Sequence, residues 1–571
     1  MSIVLAIYCM IWVVPLRTTL QPLEAYPSIH RIGDQIFGHD TANDQQKLPW
    51  ETATAQPGQD VSMDNFQPAR PPLPPKHDEP HSEKPASDCP SGNETASEYN
   101  RGTLMSNFRL SADYINTLQG ADIGKEKEWC DLHFGLPYLE NMASNVVQYC
   151  TPDSRSQIDC MHATLDPNKT RHSTEQFCVV FNTAWHEGKF YIDCKLRAQH
   201  ELDGFPPFIN FTKSKLPYRN SAGEILEDWA ILDDNIAAAG YEASGCSTHD
   251  TPFEEDYRVI YKRDSKTVGV ENLWCTLTEI SSWFVTMDVL QMATNKRTGK
   301  PYMSTEDAAK LETITIDGTT AERFDDIYSY FSGKPVRPLS DWNVDGKNGT
   351  KCLQKAIIPL IGRSGTWWDL PDRKLNCDHS VLAETIRNRF LKHFQIPTAR
   401  NYGSTLNMTF IDRGSTPRRK IQNMAEVTDL IRKSYPNITL TVVDMNLTAW
   451  RDQLDIITHT DILVGVHGAG HAHSFFLPPQ SAVIELLPGH SFNRRNYRNL
   501  AKMRGMRYFS GHITQLGDGE WRMCEWVKVT DKDAFLRLID AAVQSMSHRG
   551  TLTNSVDTSR QVELLGQHDF E

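Results

Sequence analysis

The stretch Asp461–Pro488 reads DILVGVHGAGHAHSFFLPPQSAVIELLP, and its pattern decides the local architecture of the chain. The apolar runs 461–466 and 481–487 are typical of buried strands. Between them, the glycine turn 467–470 leads into a short helix over 472–477, which two prolines end. A strand, a glycine turn and a helix start can hold a phosphate, because glycine permits close approach and the first helical N–H groups are unpaired donors. The same turn also serves in simple tight connections.

The region before this stretch alternates strands with helices, which indicates a doubly wound parallel sheet. Ligands of such sheets bind at the carboxyl ends of the strands. Arg413 and His467 both follow predicted strand ends, so we expect them to lie at one binding edge. The predicted strands are 406–411, 438–443 and 461–466, and the predicted helices are 425–433 and 449–458.

A second α/β region is predicted upstream. Residues 268–292 read as a turn followed by an amphipathic helix, and strand-like runs occur at 178–182, 190–193 and 311–316. The run 352–361 leads towards the next helix. A helix is expected over 380–393. Two such regions would form two facing Rossmann-type domains with a cleft between them. The inward face of the amphipathic helix is predicted to carry Leu277, Ile280, Ser281, Phe284 and Met287.

The two ends of the chain differ in composition from its middle. The apolar run Ile3–Leu16 is shorter than the roughly 20 residues of a membrane span and fits a signal peptide or a short signal anchor. A polar, proline-rich segment follows, which cannot bury enough surface to fold. We therefore predict a signal peptide or signal anchor over 1–20, a disordered stem over 21–105, α/β domains over 106–400 and 401–547, and a disordered tail over 548–571.

Composition and sequons indicate a protein of the secretory pathway with real hydrophobic cores. The 571 residues include 39% hydrophobic residues, and the net charge of −13 disfavours a nucleic-acid partner. Twelve cysteines without a paired CxxC rhythm are disulfide candidates; without Cys9, eleven remain, so at least one is free or pairs with another chain. Seven sequons predict glycosylation at Asn93, Asn168, Asn210, Asn348, Asn407, Asn437 and Asn446.

Several motifs resemble glycosyltransferase family 61. The block 464–488 is similar to the family signature, and Ile411–Asn423 resembles its "R…RR.I.N" element. Asp444…Gln453 and Tyr497…Tyr508 occur in the order and spacing of the family. Upstream, Cys352…Arg363 and Asn272–Cys275 followed by Glu279 resemble the branch that transfers O-linked N-acetylglucosamine to EGF-like domains.

The resemblance implies a GT-B fold with two facing Rossmann-type domains, a nucleotide-sugar donor and inversion at the anomeric carbon. The domain 401–547 would bind the UDP-sugar and the domain 106–400 would face the acceptor, a secretory protein or a glycan. We expect transfer of N-acetylglucosamine to a protein Ser or Thr, or to a glycan, in the endoplasmic reticulum or Golgi. The N-terminal segment, if uncleaved, would make a single-pass type II membrane protein. Transfer of xylose or arabinose to a glycan remains an alternative, as does a non-catalytic lumenal binding protein.

Donor binding is assigned to residues around the glycine turn. Arg413 with Arg418 or Arg419 would contact the diphosphate, unless they form only a solvated basic loop. His467 would contact phosphate or sugar, and Asn423 would order the arginine loop. Glu485 would hold the ribose or base, and Arg363 would close on the donor from the other domain. The remaining donor contacts would come from the backbone N–H groups of Gly468, Ala469 and Gly470.

The general base and the need for a metal stay open. Glu279 and Asp317 are candidates for the base, although each also suits a structural role. Where the family branch has an Asp-x-Asp, this chain has Asp341-Trp-Asn343, so we predict no required cofactor and leave a divalent metal open. The family often has His where Trp274 or Cys275 stands, and usually Leu at position 471. A rival hypothesis is a zinc hydrolase built on His467, His471 and His473.

Overall fold

The first half of the described chain forms a mixed eight-stranded sheet in the order β1-β2-β3-β8-β5-β6-β7, with β4 paired to β3. β1 to β4 pair antiparallel with their neighbours, β3 joins β8 antiparallel, and β8, β5, β6 and β7 are parallel. The strands are β1 Val146–Gln148, β2 Gln157–Thr164, β3 Thr174–His186, β4 Lys189–Tyr191, β5 Glu254–Tyr261, β6 Leu311–Thr315, β7 Arg337–Pro338 and β8 Lys351–Ile358.

The computed structural model describes residues 128–164, 174–205, 208, 225–226, 229, 234–246, 254–262, 272–316, 324–332, 334–343, 350–360, 377, 379–397, 405–416, 418–491, 494–516 and 526–547. All of them belong to one compact unit, Thr95–Glu571. The predicted signal segment, stem and tail lie outside the described residues. So do Asp317, Arg363 and the sequons at Asn93, Asn168, Asn210 and Asn348.

The second half contains the parallel sheet that the strand–helix alternation predicted. Its order is β11-β9-β12-β13-β14, and every neighbouring pair is parallel. A small sheet, β10-β16-β15, lies beside it. The strands are β9 Leu406–Asp412, β10 Lys420–Ile421, β11 Ile438–Asp444, β12 Ile462–Val466, β13 Ala482–Leu487, β14 Arg507–His512, β15 Thr514–Leu516 and β16 Trp526–Lys528.

The helices begin and end close to the predicted positions. Ser380 caps the helix that follows it, and its hydroxyl oxygen accepts a hydrogen bond from Ala383 N. Serine is a preferred residue at this capping position. The predicted helix after the glycine turn is a 3-10 helix, Ala469–Phe476. The α-helices are α1 Glu128–Phe134, α2 Leu136–Ser144, α3 Asp234–Ala243, α4 Leu273–Met292, α5 Asp325–Ser332, α6 Val381–His393, α7 Met424–Ser434, α8 Trp450–Thr458, α9 Asn496–Met503 and α10 Lys532–Ser547.

Helices cover both faces of the parallel sheet, so the predicted doubly wound arrangement is observed. Phe410 and Val464 point to the face covered by α7 and α10. Ile411 and Leu463 point to the opposite face, against α8, α9 and the 3-10 helix. Burial on both faces explains why these strands are continuous apolar runs rather than alternating ones.

The helix predicted at 268–292 forms, but the prediction that it is amphipathic is wrong, because α4 is buried on nearly all sides. Within α4, Glu279 and Gln291 are the residues that are not fully buried. The helix is covered because α2, α6 and the 3-10 helix pack against it. Phe390 of α6 lies between Phe284 of α4, at 5.4 Å between ring centroids, and Phe476 of the 3-10 helix, at 5.6 Å. The two halves of the described chain therefore share one hydrophobic cluster, and the predicted GT-B arrangement with a cleft stays a prediction.

Disulfides form between four pairs of the described cysteines: Cys130–Cys377, Cys150–Cys194, Cys160–Cys178 and Cys246–Cys352. Cys275 is buried and forms no disulfide. Bonds of this number indicate an extracellular or lumenal compartment, as the cysteine content predicted. In the part of the chain that the structure describes, no helix has both the length and the apolarity that a membrane crossing requires.

Candidate active site

The candidate site lies at the topological switch point of the parallel sheet. From β9 the chain goes to β11 on one side and then to β12 on the other, so β9 and β12 are neighbours with oppositely directed connections. Such a point opens a crevice at the carboxyl ends of the two strands. Arg413 follows β9 directly and His467 follows β12 directly. The expectation that these two residues share one edge is met by the strand order.

Two carboxylates hold the loop that carries Arg413. Asp412 accepts a hydrogen bond from the backbone N of Arg413 at 2.7 Å. Asp444, paired with Asp412 in the β9–β11 register, accepts one from Ser415 N at 2.7 Å. The loop therefore leaves the sheet in a fixed direction, and Arg413 Nε donates to the carbonyl of Arg418 at 3.1 Å.

The guanidinium groups of Arg413 and Arg419 converge on Gly468. A Cβ atom at position 468 would lie 3.0 Å from Arg413 Nη1 and 3.2 Å from Arg419 Nη1. The backbone there has φ +153° and ψ 177°, a conformation that essentially requires glycine. Arg419 also donates from Nη1 to the carbonyl of His467 at 2.6 Å. Two cations thus lie against the turn that begins the 3-10 helix, where Ala469 and Gly470 supply the first backbone N–H groups.

Arg418 and Arg419 play different parts in this loop. Arg419 is a non-glycine residue with φ +59°, an uncommon conformation that marks many functional sites. Its side chain reaches the glycine turn, whereas Arg418 is exposed and contributes its carbonyl oxygen to Arg413. Of the two arginines that the sequence left open, the geometry favours Arg419 as the partner of Arg413.

Asn423 joins the arginine loop to the small sheet. Its side-chain amide donates to the carbonyl of Val529 at 3.0 Å and accepts from Val529 N at 3.1 Å. β10, which follows Arg419 directly, also pairs with β16. These contacts join the loop to the small sheet, and the ordering role of Asn423 stays a prediction.

His467 is held by Glu485 rather than standing alone. Its Nδ1 lies 2.5 Å from Glu485 Oε1, and the Tyr508 hydroxyl donates to Glu485 Oε2 at 2.5 Å. Glu485 was expected to hold ribose or base, but its two oxygens bind His467 and Tyr508 within a buried position. Burial raises the pKa of Glu485, yet the charge and hydrogen bond of His467, with help from His471 and Tyr508, bring it below its ordinary value.

The three histidines of the glycine stretch take separate partners, so they do not assemble the rival zinc site. His471 Nε2 lies 3.0 Å from the carbonyl of Gly465, and burial lowers the pKa of His471. His473 contacts the carbonyl of Gly470 at 2.7 Å and Gln453 Oε1 at 2.7 Å. Among the described residues, no group of three His, Cys, Asp or Glu side chains is placed to bind one metal ion.

Glu279, a candidate general base, lies beside β5 rather than in the arginine cluster. Its carboxylate interacts with the hydroxyl of Tyr261, and that hydroxyl lies 2.8 Å from the hydroxyl of Tyr328. Burial raises the pKa of Tyr261 first, with smaller contributions from Glu279 and Tyr328. Glu279 thus has structural partners, and its role as base stays a prediction.

The positions that depart from the family pattern have clear structural roles. Asp341 pairs with Arg337 at 3.4 Å, and the following Trp342 packs edge-on against Trp185 at 5.4 Å. Trp274 packs edge-on against Tyr497 at 5.5 Å, below the glycine turn. The aromatic packing at both places shows side chains built into the core.

A cavity of about 340 Å³ opens farther along the same sheet edge, at the carboxyl ends of β13 and β14. Its floor is apolar, and its rim includes Thr514 and Thr530, whose hydroxyl oxygens lie 2.7 Å apart. One wall of the cavity is formed by Val529 and Thr530, which follow β16, and β16 pairs with β10. Residues around the cavity include Leu486, His512, Ile513, Val529 and Phe535.

Sequence reasoning did not assign roles to Tyr508 or Gln453. The sequence around Tyr508 gives no sign of a role at the site. Its contact is with Glu485, which lies 23 residues away along the chain. Gln453 donates to the carbonyls of Met445 and Thr448 and faces His473. A polar residue on the inward face of a predicted helix was the available signal for Gln453.

A protein family model matches part of the chain. Residues 367–484 match the family described as Glycosyltransferase 61. The resemblance inferred from the motifs is therefore confirmed, and the matched segment includes Arg413, Arg419 and the glycine turn. The match supports a glycosyltransferase.

Individual relatives point in the same direction. The chain is 32% identical over 196 residues to the EGF domain-specific O-linked N-acetylglucosamine transferase of Drosophila melanogaster, covering 32% of this chain and 34% of that protein. The Bos taurus protein of the same name is 30% identical over 191 residues, covering 33% and 34%. The Xenopus laevis protein of that name is 27% identical over 244 residues, covering 39% and 43%. The chain thus aligns with about a third of the length of the first of these relatives.

Proposed function

We propose that this chain is an inverting glycosyltransferase that moves N-acetylglucosamine from a UDP-sugar to a Ser or Thr hydroxyl of a secretory protein. The observation that carries the proposal is the convergence of Arg413 and Arg419 on the Gly468 turn at the switch point of the parallel sheet. Fixed cations beside a helix start suit the diphosphate of a nucleotide sugar, whose negative charge grows as the sugar leaves.

In the proposed reaction, the acceptor oxygen attacks the anomeric carbon while the bond from that carbon to the diphosphate oxygen breaks. The proton of the hydroxyl passes to a general base, for which Glu279 and Asp317 remain the candidates. Arg413 and Arg419 stabilise the departing diphosphate. The backbone N–H groups of the glycine turn add to this stabilisation without reorganising, because the turn is already formed.

The cavity at the ends of β13 and β14 is proposed to hold the nucleoside. β13 is the neighbour of β12, so the cavity lies along the same edge as the arginine cluster. Adjacent strands are about 4.8 Å apart, which places the cavity within the reach of a nucleoside whose phosphates bind at Gly468. An apolar floor with a polar rim suits a base and its ribose.

The sugar and the acceptor are proposed from the names of the relatives, which specify N-acetylglucosamine and EGF domains. Xylose or arabinose transfer to a glycan, and donor binding without transfer, are the alternatives. Residence in the endoplasmic reticulum or Golgi and attachment by the N-terminal segment complete the proposal. The departure at Asp341–Asn343 makes a metal requirement an open part of the test.

The test uses the full chain, purified from a secretory expression host, with an EGF-like domain or, separately, a glycan as acceptor. UDP-N-acetylglucosamine, UDP-xylose and UDP-arabinose are each supplied with and without EDTA, and released UDP is measured. We expect turnover of the first donor and a loss of about 100-fold in Arg413→Ala and in Arg419→Ala, since each removes a charge contact to the leaving group. Arg432→Ala is the matched control, because Arg432 is exposed and pairs with Asp429 within α7.

Each alternative gives a distinct result in this test. Turnover of a pentose donor would replace the sugar assignment but keep the mechanism. Binding of UDP without turnover of any donor on an EGF-like domain or a glycan would favour the non-catalytic alternative. No binding of UDP to the wild-type chain would overturn the proposed function.

A further inference from the structure

Three adjacent parallel strands bring together a tyrosine, a glutamate and a histidine at the candidate site. In the β12–β13–β14 register, Gly465 pairs with Glu485, and Glu485 pairs with Ser510. His467 stands two residues beyond Gly465, and Tyr508 stands two residues before Ser510. The sheet therefore places Glu485 between them, and the hydrogen bonds of 2.5 Å on each side of its carboxylate follow from that register.

The middle member of this row is a buried charge with both oxygens occupied. Glu485 is 1% exposed, so an ionised carboxylate there requires compensating partners. Burial raises its pKa, but the charge and hydrogen bond of His467, together with His471 and Tyr508, bring it below the ordinary value. Tyr508 keeps its proton as a donor, since burial and the Glu485 charge raise its pKa. Glu485 is thus an acceptor for the Nδ1–H of His467.

The imidazole ring has one nitrogen left for a ligand. Nδ1 is taken by Glu485, and the ring packs edge-to-face with Tyr497 at 5.4 Å between centroids. Nε2 has no hydrogen-bond partner among the described residues, and the His467 side chain is 14% exposed. The backbone carbonyl of the same residue accepts a hydrogen bond from Arg419, one of the two arginines that lie against Gly468.

Other titratable or charged groups face this position from every neighbouring element. Tyr497 belongs to α9, and its pKa is raised by burial and by Glu485. His471 comes from the 3-10 helix and contacts the Tyr497 ring at 5.5 Å between centroids. Among the described residues, these groups are Glu485, Tyr508, Tyr497, His471, Arg413, Arg419, Arg495 and Cys275.

We propose that Glu485 and Tyr508 are positioning residues that fix the His467 ring by its Nδ1, so that Nε2 becomes a hydrogen-bond donor to the donor diphosphate. This inference rests on the proposed function. Because Nδ1 already carries the hydrogen bonded to Glu485, Nε2 donates to the diphosphate when the ring carries both protons, as an imidazolium. Diphosphate binding therefore favours the doubly protonated ring, and the Glu485 carboxylate compensates its charge.

The test measures proton uptake rather than activity. UDP is titrated into the full chain by calorimetry at about pH 7.5 in two buffers that differ in ionisation enthalpy, within the range in which histidine changes charge. We expect the wild-type chain to take up a substantial fraction of one proton and to bind UDP more weakly as the pH rises from about 6 to about 8. Uptake should vanish in Glu485→Gln, and UDP affinity near pH 7 should fall about tenfold, as for loss of a charged hydrogen-bond partner.

Tyr508→Phe keeps the aromatic ring of residue 508 and removes the hydroxyl that donates to Glu485. We expect UDP affinity to fall about threefold, which corresponds to the loss of one ordinary hydrogen bond. Proton uptake should also be smaller than in the wild-type chain. Tyr435→Phe is the matched control, because the Tyr435 hydroxyl also donates to a carboxylate, Asp540 at 3.4 Å, on the outer helices. Melting temperatures of all variants verify that each one folds.

The outcomes separate this inference from the proposed function. UDP binding by the wild-type chain without proton uptake, or unchanged uptake in Tyr508→Phe, overturns the positioning role and leaves the transferase proposal standing. No UDP binding by the wild-type chain overturns both. If Glu485→Gln does not fold, Tyr508→Phe decides the question by itself, since it removes one oxygen from an otherwise unchanged ring.

Discussion

The side chain of Asn423 makes two hydrogen bonds to the backbone of Val529, although 106 residues separate them. One bond is donated to the Val529 carbonyl at 3.0 Å and the other is accepted from its N–H at 3.1 Å. This pair copies the backbone pattern of a strand. It connects the segment that carries Arg419 to the wall of the cavity along the sheet edge.

We predict that Asn423→Ala loosens the arginine segment. It should lower the free energy of unfolding by about 1–3 kcal/mol, because two buried backbone groups lose their partners. UDP affinity should fall about three- to tenfold, since Arg419 is no longer fixed. Urea unfolding and calorimetry measure the two effects.

Asn145→Ala serves as the control for Asn423. Asn145 also donates two side-chain hydrogen bonds, to the carbonyl and the side chain of Asn141, but it lies between α2 and β1. We expect a loss of stability without a change in UDP affinity. Equal losses of affinity in both variants would contradict the ordering role of Asn423.

We predict that Gly468→Ala weakens UDP binding while the chain still folds. An added Cβ would lie 3.0 Å from Arg413 Nη1 and would strain the backbone at φ +153°. The guanidinium groups would have to move away from the turn where the diphosphate is proposed to bind. Affinity for UDP should fall at least about tenfold, the size of a lost charged contact.

Gly299→Ala is the matched variant for this prediction. Gly299 has φ +66°, and a Cβ there meets no atom within 4 Å. It should cost about 1–2 kcal/mol of stability from backbone strain and leave UDP binding unchanged. If Gly468→Ala bound UDP as tightly as Gly299→Ala, the arginine–glycine site would be wrong.

The cavity predicts a third effect on donor binding. Thr530→Trp places a large ring at the rim, and we expect UDP affinity to fall at least about tenfold while inorganic diphosphate binds unchanged, because an occupied pocket excludes the nucleoside. Thr441→Trp, on an exposed position of β11, is the control. Calorimetry with both ligands makes the comparison, and a loss for diphosphate as well would disprove a nucleoside-specific cavity.

The parallel sheet was predictable from sequence, and the partners of its site residues were not. Buried runs such as 461–466 and the helix face of Trp450, Leu454 and Ile457 depend on local periodicity, which the sequence displays. The sequence placed Glu485 at the site but assigned it a contact with the ligand. Its partner Tyr508 could not be predicted, because the two residues meet only when β13 and β14 pair in the sheet. The amphipathic prediction for α4 was wrong because partners that cover a polar-looking face, such as α2 and α6, are distant in sequence.

We predict that His162 makes the chain less stable in mild acid. Burial lowers the pKa of His162 to about 3, from an ordinary value of 6.5. Between these two pH values the unfolded chain therefore binds more protons than the folded chain. The contribution of His162 to the free energy of unfolding is fully present above about pH 6.5 and is lost progressively as the pH falls. Between about pH 7 and about pH 5 the contribution is about 2 kcal/mol.

Urea unfolding of His162→Gln at both pH values tests this statement. The variant should lose about 2 kcal/mol less than the wild-type chain on acidification. His459→Gln, at an exposed histidine, should follow the wild-type slope. Parallel slopes for His162→Gln and the wild-type chain would show that His162 does not couple folding to pH.

We predict that the described sequons differ in occupancy. Asn437 and Asn446 are exposed and should carry glycans. Asn407 lies within β9, and its side-chain nitrogen donates to the carbonyl of His459 at 3.0 Å, while Thr409 of its sequon is buried. Glycopeptide mass spectrometry of the folded protein should find Asn407 unmodified. A fully occupied Asn407 would contradict the packing of this strand.

The Cys130–Cys377 disulfide closes a loop across 247 positions of the sequence, from α1 to the segment before α6. A protease that cuts once anywhere between these two cysteines produces two polypeptides that remain one covalent particle. The C-terminal fragment would keep the whole parallel sheet with its arginines and glycine turn. Under oxidising conditions, a single cut between these two cysteines therefore leaves both fragments in one particle, and reduction is needed before electrophoresis separates them.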